Sequence, residues 1–183
     1  AISFAMRDVS EQVRVAGLGL ISQTSLPNDQ KVPLLMEILT KRTLAEQQKA
    51  LLTLGSLPGS KESPVWTSIL ADFSAGKLPA GTWVELEEAI MATGDSKLKS
   101  TYDKLLTEKS GGEPWRAYAG ALAEGDVRKG RSIFFQNQTA QCIRCHAYSD
   151  MGGNAGPALD TIGKTLSREE LLIALVEPSK RLA

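Results

Sequence analysis

Histidine occurs once and cysteine twice in this chain of 183 residues, and that scarcity excludes much chemistry. A single imidazole leaves little scope for general acid–base catalysis at neutral pH, and no acid, base and nucleophile set is visible around it. No apolar run approaches the ~18 residues of a membrane-spanning helix. Neither sign of charge dominates: 21 Lys and Arg balance 21 Asp and Glu, so nothing favours nucleic acid or an anionic membrane as partner. The opening stretch, Ala1-Ile-Ser-Phe-Ala-Met-Arg-Asp8, lacks the basic start and apolar core of an export signal. An apolar share of 42% is ordinary, so the chain reads as globular, with one or two domains.

What is scarce is also concentrated. Both cysteines and the histidine stand together in Cys142-Ile143-Arg144-Cys145-His146. This is the attachment pattern of c-type haem. Two thiols three positions apart can each add across one vinyl group of haem, and the next residue supplies an imidazole for iron. Three plainer readings compete. A thioredoxin-type dithiol shares the spacing but usually opens a helix within a βαβ pattern, and nothing near Cys142 alternates like a strand. Structural zinc normally takes four Cys or His ligands, and three are present. A local disulfide leaves His146 without a role.

Residues 1–110 read as helices of ten to fifteen residues joined by polar turns. Apolar residues recur at helical spacing in Val32, Leu35, Met36 and Leu39, and again in Trp66, Ile69, Leu70 and Phe73. The same spacing links Leu98, Tyr102 and Leu105, and it places Val13 and Leu20 on one buried face with Ala16 and Gly17. Thr43 with Glu46 and Thr82 with Glu85 form capping-box patterns. Ser63-Pro64 reads as a cap before a helix-opening proline, and Gly55 and Gly94 as helix stops. Like helices start at intervals of 32 to 39 residues, the period of stacked helical hairpins that share one core. Asp8-Val-Ser-Glu-Gln-Val-Arg14 resembles the inner helix of a HEAT repeat. Ser110-Gly-Gly-Glu-Pro114 punctuates the chain, so residues 111–123 are expected to form a linker with a short bracing helix, and 124–183 a second region.

That second region opens with Gly125-Asp126-Val-Arg-Lys-Gly130-Arg-Ser-Ile-Phe134-Phe135, a helix with Asp126 as its cap. Beyond His146 lies a glycine-rich loop ending in Gly156-Pro157-Ala158-Leu159, and Ser167 with Glu170 caps a last helix carrying Leu171, Leu172 and Leu175. Residues 124–183 resemble class I cytochromes c, in particular the haem domain of planctomycete and verrucomicrobial exported proteins. There it often follows HEAT-like repeats and a β-propeller resembling sugar dehydrogenases. The resemblance implies an all-α fold, a HEAT-like stack followed by a cytochrome c domain incomplete at its C-terminus. It implies that Gly130 permits a tight helix crossing, that Phe134 or Phe135 packs near the haem edge, that the Pro157 carbonyl accepts a hydrogen bond from His146, and that Leu159 lines the haem face.

In that family a distal Met comes from a later segment, so the chain is expected to be a piece of a longer protein. Met151, downstream of the motif, is the candidate within the sequence, but five residues from His146 span only ~17 Å. Met91 reaches iron only if the helical stack covers it. The function expected is electron transfer by haem c, in an exported, periplasmic bacterial protein, with a redox partner protein or a fused dehydrogenase as donor. A haem-based sensor or peroxidase-like enzyme is the alternative, as is an interaction scaffold braced by haem. Residues 124–183 carry eight basic and seven acidic side chains, so charge steering names no partner.

Overall fold

The helix at the centre of the first half of the chain begins as its sequence dictates. The Thr43 hydroxyl accepts from the Glu46 amide, and the Glu46 carboxylate accepts from the Thr43 amide, which satisfies two amides that a helix end leaves unpaired. In the computed structural model, which describes residues 2–123 and 125–180, this helix runs Leu44–Ser56 and is α4. Before it come α1 (Ile2–Ala5), α2 (Glu11–Leu20) and α3 (Asn28–Lys41), and after it α5 (Val65–Ser74), α6 (Trp83–Thr93) and α7 (Ser96–Ser110). Gly94 and Gly111 end α6 and α7 in the left-handed conformation, at φ 68° and 61°, as a helix stop requires. A 3-10 segment, Pro114–Leu122, follows. Packing of the backbone divides the chain into two compact units, Ala1–Gly120 and Ala121–Ala183.

In the first unit α4 packs on α2, α3 and α6. Its Leu51 and Leu54 are buried with Leu35 and Leu39 of α3, with Leu86 and Ile90 of α6, and with Trp66, Ile69 and Phe73 of α5. The Phe73 ring meets Trp83 edge-on at 5.4 Å and lies 5.3 Å from Tyr102. Burial of such side chains contributes roughly 1.5–3 kcal/mol each.

Three sequence expectations need correction in this unit. Val13 and Leu20 are 41% and 49% exposed. The buried residues of α2 are instead Gly17 and Leu18, continued by Ile21: Arg14 pairs with Glu46 of α4, and Gly17 lies against α1, where a Cβ would stand 3.0 Å from that of Ala5. Gly55 does not stop α4 but lies inside it. A Cβ there would stand 2.5 Å from the Ala89 carbonyl oxygen, so the residue allows α4 and α6 to cross closely. Thr82 forms no capping box; a 3-10 turn, Ala80–Thr82, leads into α6, and the Thr82 hydroxyl donates to the Pro79 carbonyl.

Arg14 joins α2 to α4. Its Nε is 2.9 Å from Glu46 Oε1 and its Nη2 3.2 Å from Oε2, a two-pronged pairing, while Nη1 donates to the Asp8 carbonyl at 2.8 Å. Glu46 is buried, and the hydrogen bond from Arg14 holds its carboxyl below the usual range against the opposing effect of burial. Glu46→Ala removes the acceptor of both Arg14 prongs and of the Thr43 amide, and a lower midpoint in urea unfolding at neutral pH is the expected result. A depressed folded-state pKa stabilises above the unfolded pKa and ceases to do so as pH falls through the folded value. The difference between wild type and Glu46→Ala is therefore expected to shrink below about pH 4.

The second unit holds α8 (Val127–Gln136), α9 (Cys142–Cys145), a hairpin of β1 (Ala147–Tyr148) and β2 (Met151–Gly152), α10 (Ile162–Thr165) and α11 (Arg168–Val176). Asp126 caps α8 by accepting from the Arg128 and Lys129 amides, and Ser167 with Glu170 caps α11. The hairpin is the one departure from an otherwise helical chain among the described residues. It pairs Ala147 with Gly152 and Tyr148 with Met151, around Ser149 and Asp150 at φ 51° and 61°. Two positive φ values in a two-residue loop suit the twist of a hairpin. Leu175, expected to pack with Leu171 and Leu172, is 79% exposed. Among the described residues no helix is long and apolar enough to cross a membrane.

Candidate functional site

α9 is a single helical turn, so Cys142 and Cys145, three positions apart, share one side of it. Gln141 starts the turn in the left-handed region, at φ 47°, and His146 leaves it in an extended conformation that becomes β1. Both thiols are free, Cys145 exposed and Cys142 partly so.

The glycine-rich loop folds back over this turn through backbone hydrogen bonds. The Gly153 amide donates to the Ile143 carbonyl at 2.8 Å, Gly156 to Cys145 at 2.7 Å, and Leu159 to Ala147 at 2.9 Å. This ladder sets the Pro157 carbonyl 2.9 Å from Nδ1 of His146. A carbonyl only accepts, so Nδ1 carries the proton and Nε2 keeps its lone pair for another partner. The imidazole is thus oriented as a metal ligand requires.

Glycine makes the close approach possible. A Cβ on Gly156 would stand 2.6 Å from Cε1 and 2.8 Å from Nδ1 of His146. On Gly153 it would collide with the Arg144 carbonyl, and on Gly152, at φ 116°, with that of His146. Gly152 and Gly153 were legible only as loop residues; their true signal is glycine within seven residues of a Cys-x-x-Cys-His. Gly156→Ala is expected to push the ring off the Pro157 carbonyl. The Nδ1–H tautomer, read by nitrogen-15 NMR of His146, should lose its dominance, with backbone shifts of α8 unchanged.

The remaining expected residues are placed as follows. Phe134 and Phe135 are half-buried with ring centroids 5.0 Å apart, each 6.4 Å from Tyr148. Leu159, on the returning loop, is half-buried as well. Gly130 borders a groove of about 260 Å³ with Val127, Arg131, Phe134, Phe135 and Tyr148. No described atom lies within 4 Å of a Cβ built on Gly130, so among the described residues no helix crosses there. Met151 sits on β2 opposite Tyr148 and borders a second groove, of about 310 Å³, with Arg128, Arg131 and Phe135. Asp126, the cap of α8, is held below the ordinary carboxylate range by the Lys129 amide first and by that of Arg128.

A further property sets this unit apart. None of the described residues from 121 to 180 is buried. Val127 is 85% exposed, and Ile133, Tyr148, Met151 and Leu175 are exposed as well. A chain segment of this size folds around an apolar core or around something that replaces one. Among the described residues no three His, Cys, Asp or Glu side chains gather to hold a metal ion, whereas iron in a haem asks the protein for an axial ligand such as one imidazole. The residues present therefore fit a haem in three respects: an imidazole oriented by the Pro157 carbonyl, two free thiols on the turn before it, and uncovered apolar side chains in the same unit.

No family model, curated protein or solved structure matches this chain.

Proposed function

We propose that Cys142, Cys145 and His146 hold a covalently attached c-type haem and that the protein carries single electrons. The observation that supports this most is a compact unit in which no described side chain from 121 to 180 is buried, around an imidazole whose Nδ1 is bonded to the Pro157 carbonyl. Bound there, haem supplies a one-electron Fe(III)/Fe(II) couple.

The chain's own residues do the rest. Cys142 and Cys145 would tether the group through their sulfurs, and His146 would offer Nε2 to its iron, with the Pro157 carbonyl holding the Nδ1 proton, which raises the basicity of the ring. Phe134, Leu159 and Tyr148 belong to the half-exposed apolar set that a flat apolar group would cover, excluding water and stabilising the neutral iron–porphyrin charge balance. Gly130 keeps one face of α8 free of side chain. The hairpin ties Met151 to the strand that follows His146, which argues against Met151 as a second ligand to the iron such a group would bring.

The single histidine is engaged, so electron relay is proposed in preference to turnover of a substrate. For the first unit we propose a HEAT-like stack that docks or spaces a redox partner, a fused or separate dehydrogenase. Its support is the packing of α2, α4 and α6, alternate helices, one upon the next. Covalent attachment implies maturation after export. The test is a pyridine haemochrome spectrum of protein matured in the periplasm. Thioether-linked haem with a mass gain of one haem is the expected result; the bare polypeptide mass would refute the proposal.

A further inference from the structure

The Ser149 amide donates to Oδ1 of Asp160 at 2.8 Å, and nothing in the haem-attachment reading uses that bond. Ser149 is the first residue of the hairpin turn, in the left-handed region at φ 51°, a conformation costly for a residue other than glycine. Asp160 follows Leu159, whose own amide donates to the Ala147 carbonyl at 2.9 Å. The two bonds clamp the segment 159–160 against both ends of β1. Pro157, two residues before Leu159, has no amide hydrogen, and its carbonyl is held toward His146 only through its neighbours. Upstream it is anchored by the Gly156 amide on the Cys145 carbonyl, at 2.7 Å. Downstream the anchors are Leu159 and Asp160.

We infer that Asp160 is a positioning residue that ties the returning loop to the hairpin turn and so fixes the bond between the Pro157 carbonyl and the His146 imidazole. The Asp160 carboxylate bonds to the Ser149 amide and not to the His146 ring. It acts through the loop, setting how firmly Nδ1 keeps its proton and how strongly Nε2 donates. Its redox consequence rests on the proposed haem, whereas the geometric claim stands on the chain alone. With the clamp lost, the Nδ1 bond weakens, the imidazole becomes a poorer donor, and Fe(II) gains relative to Fe(III).

The experiment compares wild type with Asp160→Ala and Asp160→Asn, the latter retaining an acceptor oxygen. In the haem-free protein, nitrogen-15 NMR of His146 should show the Nδ1–H tautomer dominant in wild type and in Asp160→Asn. In Asp160→Ala the ratio should move at least about threefold toward Nε2–H, the scale of one weakened hydrogen bond. In haem-loaded protein, Asp160→Ala should favour Fe(II) about threefold, or about 28 mV at ~59 mV per tenfold for one electron. Adding Ser149→Asn and Asp150→Gly to Asp160→Ala steadies the turn without restoring the tether, so the tautomer ratio should stay shifted. Restoration by those turn substitutions, or no change in Asp160→Ala, would overturn the inference. If wild type takes up no haem covalently, the haem reading fails and the tautomer ratio alone decides the role of Asp160.

Discussion

Replacing Cys142 and Cys145 together with alanine is expected to abolish covalent haem in protein matured after export, while the chain still accumulates as a folded helical stack. Haem stain should survive denaturing electrophoresis in wild type and vanish in the double variant. Each single variant should keep one thioether, with lower yield, because either sulfur alone still tethers the ring. His146→Ala should behave differently again. The two sulfurs remain, so the stain survives, but the iron loses its axial nitrogen and its visible spectrum changes. This three-way pattern separates the readings that the motif alone leaves open. A redox dithiol loses activity with either cysteine and is indifferent to His146 as ligand. A zinc site loses its metal with any of the three and never carries a stain. Retention of covalent haem by the double variant would sink the attachment claim. The size of the effect follows from its covalent nature: the tether is present or absent, whereas non-covalent contacts in an uncovered pocket give only graded losses.

Much of the architecture was legible because local signals and long-range packing agree. Thr43 with Glu46, Asp126 and Ser167 with Glu170 all cap helices where the sequence places them, since a cap is decided by three or four adjacent residues. Tertiary context decided the failures. Val13 has helical spacing but falls on the face of α2 that stays exposed, while Gly17 and Leu18 are buried, and Gly55 answers to the backbone of α6, a partner some thirty residues away. Thr82 carries a capping-box pattern, yet the preceding 3-10 turn gives it a helical backbone, in which its hydroxyl turns to Pro79. At the site, the bond from His146 to Pro157 was foreseen from a family resemblance, and the structure has it at 2.9 Å. The hairpin was not foreseen, because Ser149 and Asp150 are not the Asn-Gly type that advertises a tight turn. The clamp by Asp160 left no trace in the sequence, since a lone Asp in a loop has many possible amides to accept from.

Hydrogen exchange is expected to divide the haem-free protein in two. Amides of α4 and α6 in the first unit, above a core that holds Leu51, Leu54, Leu86 and Ile90 with almost no exposure, should be protected roughly a thousandfold or more. Amides of α8, α9 and α11 should be protected far less, about ten- to a hundredfold. The reason is energetic. Fixing each residue costs on the order of 1–2 kcal/mol of backbone entropy, and hydrogen bonds recover little net when water offers the same bonds. Burial of apolar surface must supply the balance, and none of the described residues from 121 to 180 is buried. Loading with haem adds a large apolar body bonded at Cys142 and Cys145, which both covers side chains such as Phe134, Leu159 and Leu171 and restricts the unfolded chain around the attachment turn. Protection of α8 and α9 should then rise by at least about a hundredfold, while that of α4 stays as it was. Equal protection of the two units without haem would mean that residues 121–180 sustain their fold unaided, and the argument from the uncovered apolar set would fall with it.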